Sequence, residues 1–90
     1  MNSNKHNIKK YIVTETSNID IEKEKIFDNY INAKKQLIER YFFLEDNGFD
    51  GDLDLNNDSF SVRDYNGTRW NAKINQSTVK PIASIIEDVA

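Results

Sequence analysis

The chain of 90 residues contains no cysteine. Disulfide bonds, thiolate nucleophiles and cysteine-ligated zinc sites are therefore excluded. Histidine occurs once, as His6, within a polar, asparagine-rich start that we expect to be a disordered arm over residues 1–7. Because a histidine in a mobile arm cannot be held in place for chemistry, histidine-dependent triads and histidine-ligated metal sites are also excluded.

Long apolar runs are missing as well. No stretch approaches the roughly 18 apolar residues that span a bilayer, and residues 1–10 lack the apolar centre of a signal peptide. We therefore expect a cytoplasmic protein without membrane contact, folded as a single domain over residues 8–90. Asn, Ile and Lys are frequent and Lys outnumbers Arg. Because these residues have AT-rich codons, the composition favours a small phage or bacterial protein.

Basic residues are absent from one long interval. The net charge of −3 is modest, but no lysine or arginine lies between Arg40 and Arg63. A surface of one sign attracts cations or basic partners, so this interval is the main candidate for a functional surface. It carries the acidic residues Glu45, Asp46, Asp50, Asp52, Asp54 and Asp58.

A long helix is predicted over residues 19–46. Ser17 and Asp20 have the spacing of a capping box at its start, and Gly48 followed by Phe49 is typical of a left-handed helix end. Phe43 projects away from the apolar side, either as a single exposed aromatic or as a contact for a partner or a second copy. The apolar stripe at helical spacing contains Tyr30, Leu37, Tyr41 and Leu44; it is flanked by Ile26, Phe27 and Ala33 and widened by Ile31, Ile38 and Phe42.

A three-stranded antiparallel meander is predicted to follow, with strands over residues 51–55, 58–64 and 68–75. A tight turn at Asn56-Asn57 pairs Leu53 with Phe60. The second turn is either a two-residue loop over 66–67 or a three-residue loop over 65–67. We prefer the longer loop because it pairs Val62 with Trp70 and collects the apolar side chains on one face. The opposite face would carry Asp52, Asp54, Ser59, Ser61, Arg63, Arg69, Asn71 and Lys73.

A short C-terminal helix is predicted from Ser77-Thr78, with Pro81 in its first turn. Residues 8–14 contain a β-branched and aromatic run that is typical of an extra strand, at a sheet edge or as an extended arm. The expected fold is therefore α+β, with a long N-terminal helix packed on a three-stranded antiparallel meander and a short C-terminal helix, in the order α-β-β-β-α.

This predicted order resembles the architecture of the double-stranded RNA-binding domain. In that family the last helix begins with a lysine-rich segment, whereas this chain has Lys80 alone at that place. The resemblance implies a nucleic-acid-associated domain as one alternative. The basic residues of the polar sheet face, Arg63, Arg69 and Lys73, would be the ones to test for contact in that case. The acidic interval opposes that alternative because it would repel phosphates.

Residues 46–54 partly resemble an EF-hand calcium loop. With Asp46 at position 1, Asp50 and Asp54 fall at ligand positions, but Gly48 and Asn57 stand where further ligands are needed. Divalent-cation binding through the three aspartates is therefore a second alternative. Asp52 and Asp54 could also belong to a two-metal catalytic site, but the sequence places no base beside them, so we do not expect an enzyme.

The preferred hypothesis is a small acidic, non-enzymatic protein-binding module without a cofactor. It would be an inhibitor or an immunity or anti-defence protein that occupies a basic surface of another protein, such as a nucleic-acid-binding protein, in some cases by mimicking DNA. Phe43 leaves a homodimer open. The predicted partner-binding residues are Phe43, Glu45, Asp46, Asp50, Asp52, Asp54 and Asp58.

Overall fold

The computed structural model describes residues 8–79. Within that range, five strands form one antiparallel sheet and one helix packs on a single face of it. The sheet order is β2-β1-β5-β4-β3. The elements are β1 (Ile8–Ser17), β2 (Lys23–Phe27), α1 (Tyr30–Asp46), β3 (Asp50–Asp54), β4 (Ser59–Arg63) and β5 (Arg69–Val79).

The predicted fold class is wrong. The protein is mostly sheet, and α1 lies between β2 and β3 instead of forming a long N-terminal helix on a three-stranded meander. Residues 23–27, which were expected to be helical, form an edge strand because they pair with β1, for example Glu24 with Thr14 and Ile26 with Ile12. The order that resembles the double-stranded RNA-binding domain is therefore not found in residues 8–79.

The helix starts eleven residues later than predicted, at Tyr30 instead of Ile19. Asn29 is its cap: the backbone is extended there, and the side chain accepts a hydrogen bond of 2.8 Å from the amide of Asn32. Ser17, which resembled the cap, instead accepts a bond of 3.2 Å from the amide of Ile19 in the loop between β1 and β2. The predicted helix end is confirmed, since Gly48 has a φ of 92° and the Phe49 amide donates to the carbonyl of Leu44.

Both ends of the described chain also differ from the prediction. The N-terminal strand is not at an edge, because β1 lies between β2 and β5, with Val13 opposite Ile74 and Ser17 opposite Trp70. Residues 77–79, expected to begin a helix, extend β5 alongside the start of β1. The rest of the predicted C-terminal helix and the predicted arm over residues 1–7 lie outside the described residues.

The register of the meander is confirmed. Leu53 pairs with Phe60, and Val62 pairs with Trp70, as the longer second loop requires. That loop is closed by a hydrogen bond of 3.0 Å from the Asp64 amide to the Thr68 carbonyl, and Gly67 has a φ of 88°. The same register places Arg63 directly opposite Arg69.

The core lies between α1 and one face of the sheet. Ala33 and Leu37 of the helix are completely buried, and no described element covers the opposite, polar face of the sheet. None of residues 8–79 belongs to a helix with the length and apolarity needed to cross a membrane. The other core residues are Val13, Tyr41, Leu44, Phe60, Val62, Trp70, Ala72 and Ile74.

Candidate functional site at the outer edge of the sheet

Strand β3 is the outermost strand on one side of the sheet, and it carries three aspartates on one face. Asp50, Asp52 and Asp54 alternate with Gly51 and Leu53, so the aspartates lie on the face that the helix does not cover. All three are exposed. The sequence therefore places a row of carboxylates along a sheet edge. They are spaced about 7 Å apart, because every second residue of a strand lies on the same face.

Glu45 joins this row from the end of the helix. The hydroxyl of Tyr41 donates to the Gly51 carbonyl at 3.3 Å and lies 3.5 Å from a carboxylate oxygen of Glu45. Burial raises the pKa of Tyr41, and the negative charges of Glu45, Asp52 and Asp50 raise it further. Three carboxylates thus act on one buried hydroxyl. We call Glu45, Asp50, Asp52 and Asp54 the acidic edge.

The carboxylates of the acidic edge differ in the hydrogen bonds and ion pairs that they form within the protein. Asp54 accepts hydrogen bonds from the amides of Asn56 and Asn57, at 3.2 and 3.1 Å, and from the Asn57 side chain at 2.8 Å. The side-chain bond from Asn57, followed by the backbone bonds, lowers the pKa of Asp54. Asp50 and Asp52, in contrast, form no ion pair with any cation of residues 8–79. Glu45 is likewise in none of these ion pairs, and the nearest base to Asp50 in the strand register is Arg63, directly opposite it on β4.

Asp58, a predicted partner contact, is placed elsewhere. It lies on the helix side of the sheet, where its carboxylate accepts a hydrogen bond of 2.6 Å from the Tyr30 hydroxyl and forms an ion pair with Lys34. Burial acts to raise the pKa of Asp58, but the hydrogen bonds from Lys34 and Tyr30 outweigh it, so the pKa lies below its ordinary value. Asp58 therefore connects α1 to the turn between β3 and β4 and does not belong to the acidic edge.

Phe43 and Asp46 also do not form one continuous surface with the acidic edge. Phe43 is 56% exposed, and the guanidinium of Arg40 lies 5.2 Å from its ring centroid. Arg40 donates three hydrogen bonds of 2.8–2.9 Å to the Glu15 carboxylate of β1, which places Phe43 on the flank of α1 that faces away from β3. Asp46 is exposed at the last position of the helix.

The aspartates of the predicted calcium loop are not brought together. Asp46 ends α1, while Asp50 and Asp54 occupy the two ends of β3, roughly 13 Å apart at 3.3 Å per residue. An EF-hand loop would fold these residues around one point, but here they are extended because β3 pairs with β4. Residues 8–79 contain no group of three or more acidic or histidine side chains that could share a metal ion.

The acidic edge borders an uncovered groove across the polar face of the sheet. The groove has a volume of about 550 Å³, and Ser61 within it donates a hydrogen bond of 2.7 Å to Asn71. The residues proposed for nucleic acid lie on the same face, but Arg63 sits directly opposite Asp50, so acids and bases alternate there. The polar side chains that line the groove are Thr14, Thr16, Asp52, Asp54, Ser59, Ser61, Asn71, Lys73 and Asn75.

Sequence reasoning missed an apolar surface beside the acidic edge. Ile31 and Phe42 were predicted to widen the buried stripe of the helix, but they are 69% and 50% exposed. The signal was present in the sequence. An apolar face that covers half of a helix is wider than one sheet face can bury, so part of it had to remain at the surface.

No protein-family model, curated protein or solved structure matches this chain.

Proposed function

We propose that this chain is a small non-enzymatic protein-binding module of the inhibitor, immunity or anti-defence type, and that its acidic edge occupies a basic surface of another protein. The observation that carries the proposal is the exposure of Asp50 and Asp52 on an outermost strand without a cation partner in residues 8–79. Exposed charges of one sign speed the encounter with an oppositely charged surface and select against wrong partners.

The spacing of the carboxylates favours a macromolecular partner over a small ion. Carboxylates that succeed one another along a strand about 7 Å apart can each meet a separate lysine or arginine, but they cannot converge on one cation. Proteins that bind nucleic acids present such rows of basic side chains to phosphates. A nucleic-acid-binding protein in the cytoplasm is therefore the partner class that we propose.

The proposal is tested by affinity capture from the lysate of the native host with three tagged forms of the chain. These are the wild type, Asp50→Asn/Asp52→Asn, and Glu22→Gln/Glu24→Gln as a matched control. The control removes the same charge from exposed carboxylates in and before β2, at the opposite edge of the sheet. Retained proteins are identified and quantified by mass spectrometry.

We expect a basic protein that the wild type and the control retain and that the Asp50→Asn/Asp52→Asn form loses. Its retention should weaken as salt is raised, because interactions between exposed charges are screened beyond about 8–10 Å near physiological ionic strength. Equal retention of the same proteins by all three forms would contradict the proposal.

A further inference from the structure

The outer side of β3 is free of strand partners among the described residues. The sheet order ends at β3, which pairs with β4 on its inner side only. An edge strand presents backbone amides and carbonyls to which another extended segment can add. At the opposite edge of the sheet, β2 mixes both charges, with Glu24 between Lys23 and Lys25.

The helix side of this edge exposes apolar side chains of α1. Lys34 donates to the Leu55 carbonyl at 2.6 Å and Tyr41 donates to the Gly51 carbonyl at 3.3 Å, so the side of α1 that bears these two residues faces β3. Ile31, Ile38 and Phe42 follow at spacings of seven and four residues, on the outer part of the same side. We call these three residues the apolar flank.

The two faces of the β3 edge therefore differ in chemistry. The helix-free face carries Asp50, Asp52 and Asp54, and the helix side carries the apolar flank, the half-buried Leu53 and, near the end of α1, Glu45. Successive side chains of a strand point to opposite faces. A segment that extended the sheet beyond β3 would place every second side chain beside Asp50, Asp52 and Asp54 and the intervening ones beside the apolar flank.

We infer that β3 takes an added strand from a partner protein, an extended segment in which basic residues alternate with apolar ones. This inference rests on the proposed function and specifies how the basic partner docks. A second copy of this chain with its helix on the same side of the extended sheet does not suit the edge. In that arrangement, pairing β3 with β3 would oppose two rows of aspartates, and pairing β3 with β2 would place Glu24 beside the aspartates of β3.

The test uses four short synthetic peptides of the same length and number of charges, with binding measured by fluorescence anisotropy at low salt. In the parent peptide lysine alternates with valine, and in the block peptide the same residues are grouped by type. Two further peptides repeat the parent sequence but carry N-methyl groups on all lysine amides or on all valine amides. Each methylated peptide loses the hydrogen-bond donors of one strand edge and keeps its charge.

We expect the parent peptide to bind roughly tenfold more tightly than the block peptide, a difference of about 1.4 kcal/mol. One methylated peptide should bind roughly tenfold more weakly than the parent, and the other within about twofold of it, because a strand bonds its neighbour through alternate amides. Phe42→Ser should weaken parent binding without changing its salt dependence, whereas Asp50→Asn/Asp52→Asn should reduce both.

The outcomes separate this inference from the proposed function. If all four peptides bind the wild type equally, and each binds the Asp50→Asn/Asp52→Asn form more weakly, strand addition is overturned while a basic-partner function stands. In that case the aspartates of β3 attract the lysines of the peptides, and the conformation of the peptide backbone does not matter. If no peptide distinguishes the wild type from the Asp50→Asn/Asp52→Asn form, both the inference and the proposed role of the acidic edge are overturned.

Discussion

At the scale of single residues, Asp58 connects the first turn of α1 with the turn between β3 and β4. Its carboxylate accepts from Tyr30 at 2.6 Å and pairs with Lys34, which also donates to the Leu55 carbonyl at 2.6 Å. Asp58 has a positive φ of 51°, a conformation that aspartate and asparagine tolerate better than most other residues. Asparagine is therefore the substitution that removes the charge and keeps the backbone preference.

We predict that Asp58→Asn lowers the free energy of unfolding at pH 7 and that this loss shrinks at pH 3. The lowered pKa of Asp58 means that its contribution is present above the pKa of the unfolded state, about 4, and is lost as the pH falls through the folded pKa. Urea unfolding of the wild type and of Asp58→Asn, at pH 7 and at pH 3, measures this loss of unfolding free energy. Asp46→Asn, at the exposed end of the helix, is the control. A loss that is equally large at pH 3 would show that the charge of Asp58 is not its cause.

Gly51 is required because β3 and β4 approach each other closely beside it. A β-carbon at this position would lie 1.9 Å from the Ser61 carbonyl oxygen and 2.7 Å from the Val62 α-carbon, both of them backbone atoms. We predict that Gly51→Ala destabilises the protein by about 1–3 kcal/mol, the usual cost of overpacking. The midpoint of urea unfolding measures the change. A midpoint equal to that of the wild type would mean that the two strands are farther apart than described.

At the scale of elements, the start of α1 shows where local sequence signals are ambiguous. Ser17 and Asp20 match a capping box, but their side chains bond to amides within the loop between β1 and β2. Asn18 in the same loop accepts from the Arg69 amide and donates to the Gly67 carbonyl, both at 2.9 Å. Those partners are about fifty residues away in the sequence, so no local pattern predicts them.

We predict that Asn29→Ala destabilises the protein by about 1 kcal/mol, since it removes the side chain that caps α1. Ser17→Ala should change the helix little, because Ser17 lies in β1. The two variants are compared by thermal unfolding followed by circular dichroism at the helical minimum. If Ser17→Ala proved the more damaging and reduced the helical signal, the helix would begin where the sequence first indicated.

The meander could be predicted and the rest of the sheet could not, for one physical reason. Turns such as 65–67 set the pairing of neighbouring strands, and alternation along the chain selects between registers, so Val62 opposite Trp70 follows from local rules. The pairing of β1 with β5 joins residues about sixty positions apart, for example Val13 and Ile74. The pairing of β1 with β5 depends on how much apolar surface each possible topology buries. The residue pattern of a single strand does not contain that information.

Part of the candidate site could likewise be predicted from the sequence, and part of it could not. The composition alone indicated an acidic interval, and alternation placed Asp52 and Asp54 on the face away from the core. Sequence reasoning could not identify β3 as the outermost strand, because that follows from β1 joining the other side of β5. It also included Asp58 in the site, since a local pattern does not reveal an ion pair with a lysine 24 positions earlier.

At the scale of the whole molecule, folding separates the charges. The ion pairs among residues 8–79 are Lys10–Asp28, Lys23–Asp20, Lys34–Asp58 and Arg40–Glu15. Asp58 is the one member of the acidic interval that takes part in them. Lys10, Lys23 and Arg40 are thus paired with acids outside the interval, whereas Arg63, which belongs to none of these pairs, lies directly opposite Asp50. Asp50, Asp52 and Asp54 follow one another along the outermost strand at one end of the sheet order. This separation is the basis of the proposed function.

Every functional argument above requires β3 to be outermost and β1 to lie between β2 and β5, so the strand order is the point to measure first. We would record nuclear Overhauser effects on the isotope-labelled chain. The account predicts cross-strand contacts between Val13 and Ile74, between Ile12 and Ile26, and between Phe60 and Ala72. Sequential helical contacts through residues 19–28, or cross-strand contacts from β3 to any strand other than β4, would contradict it.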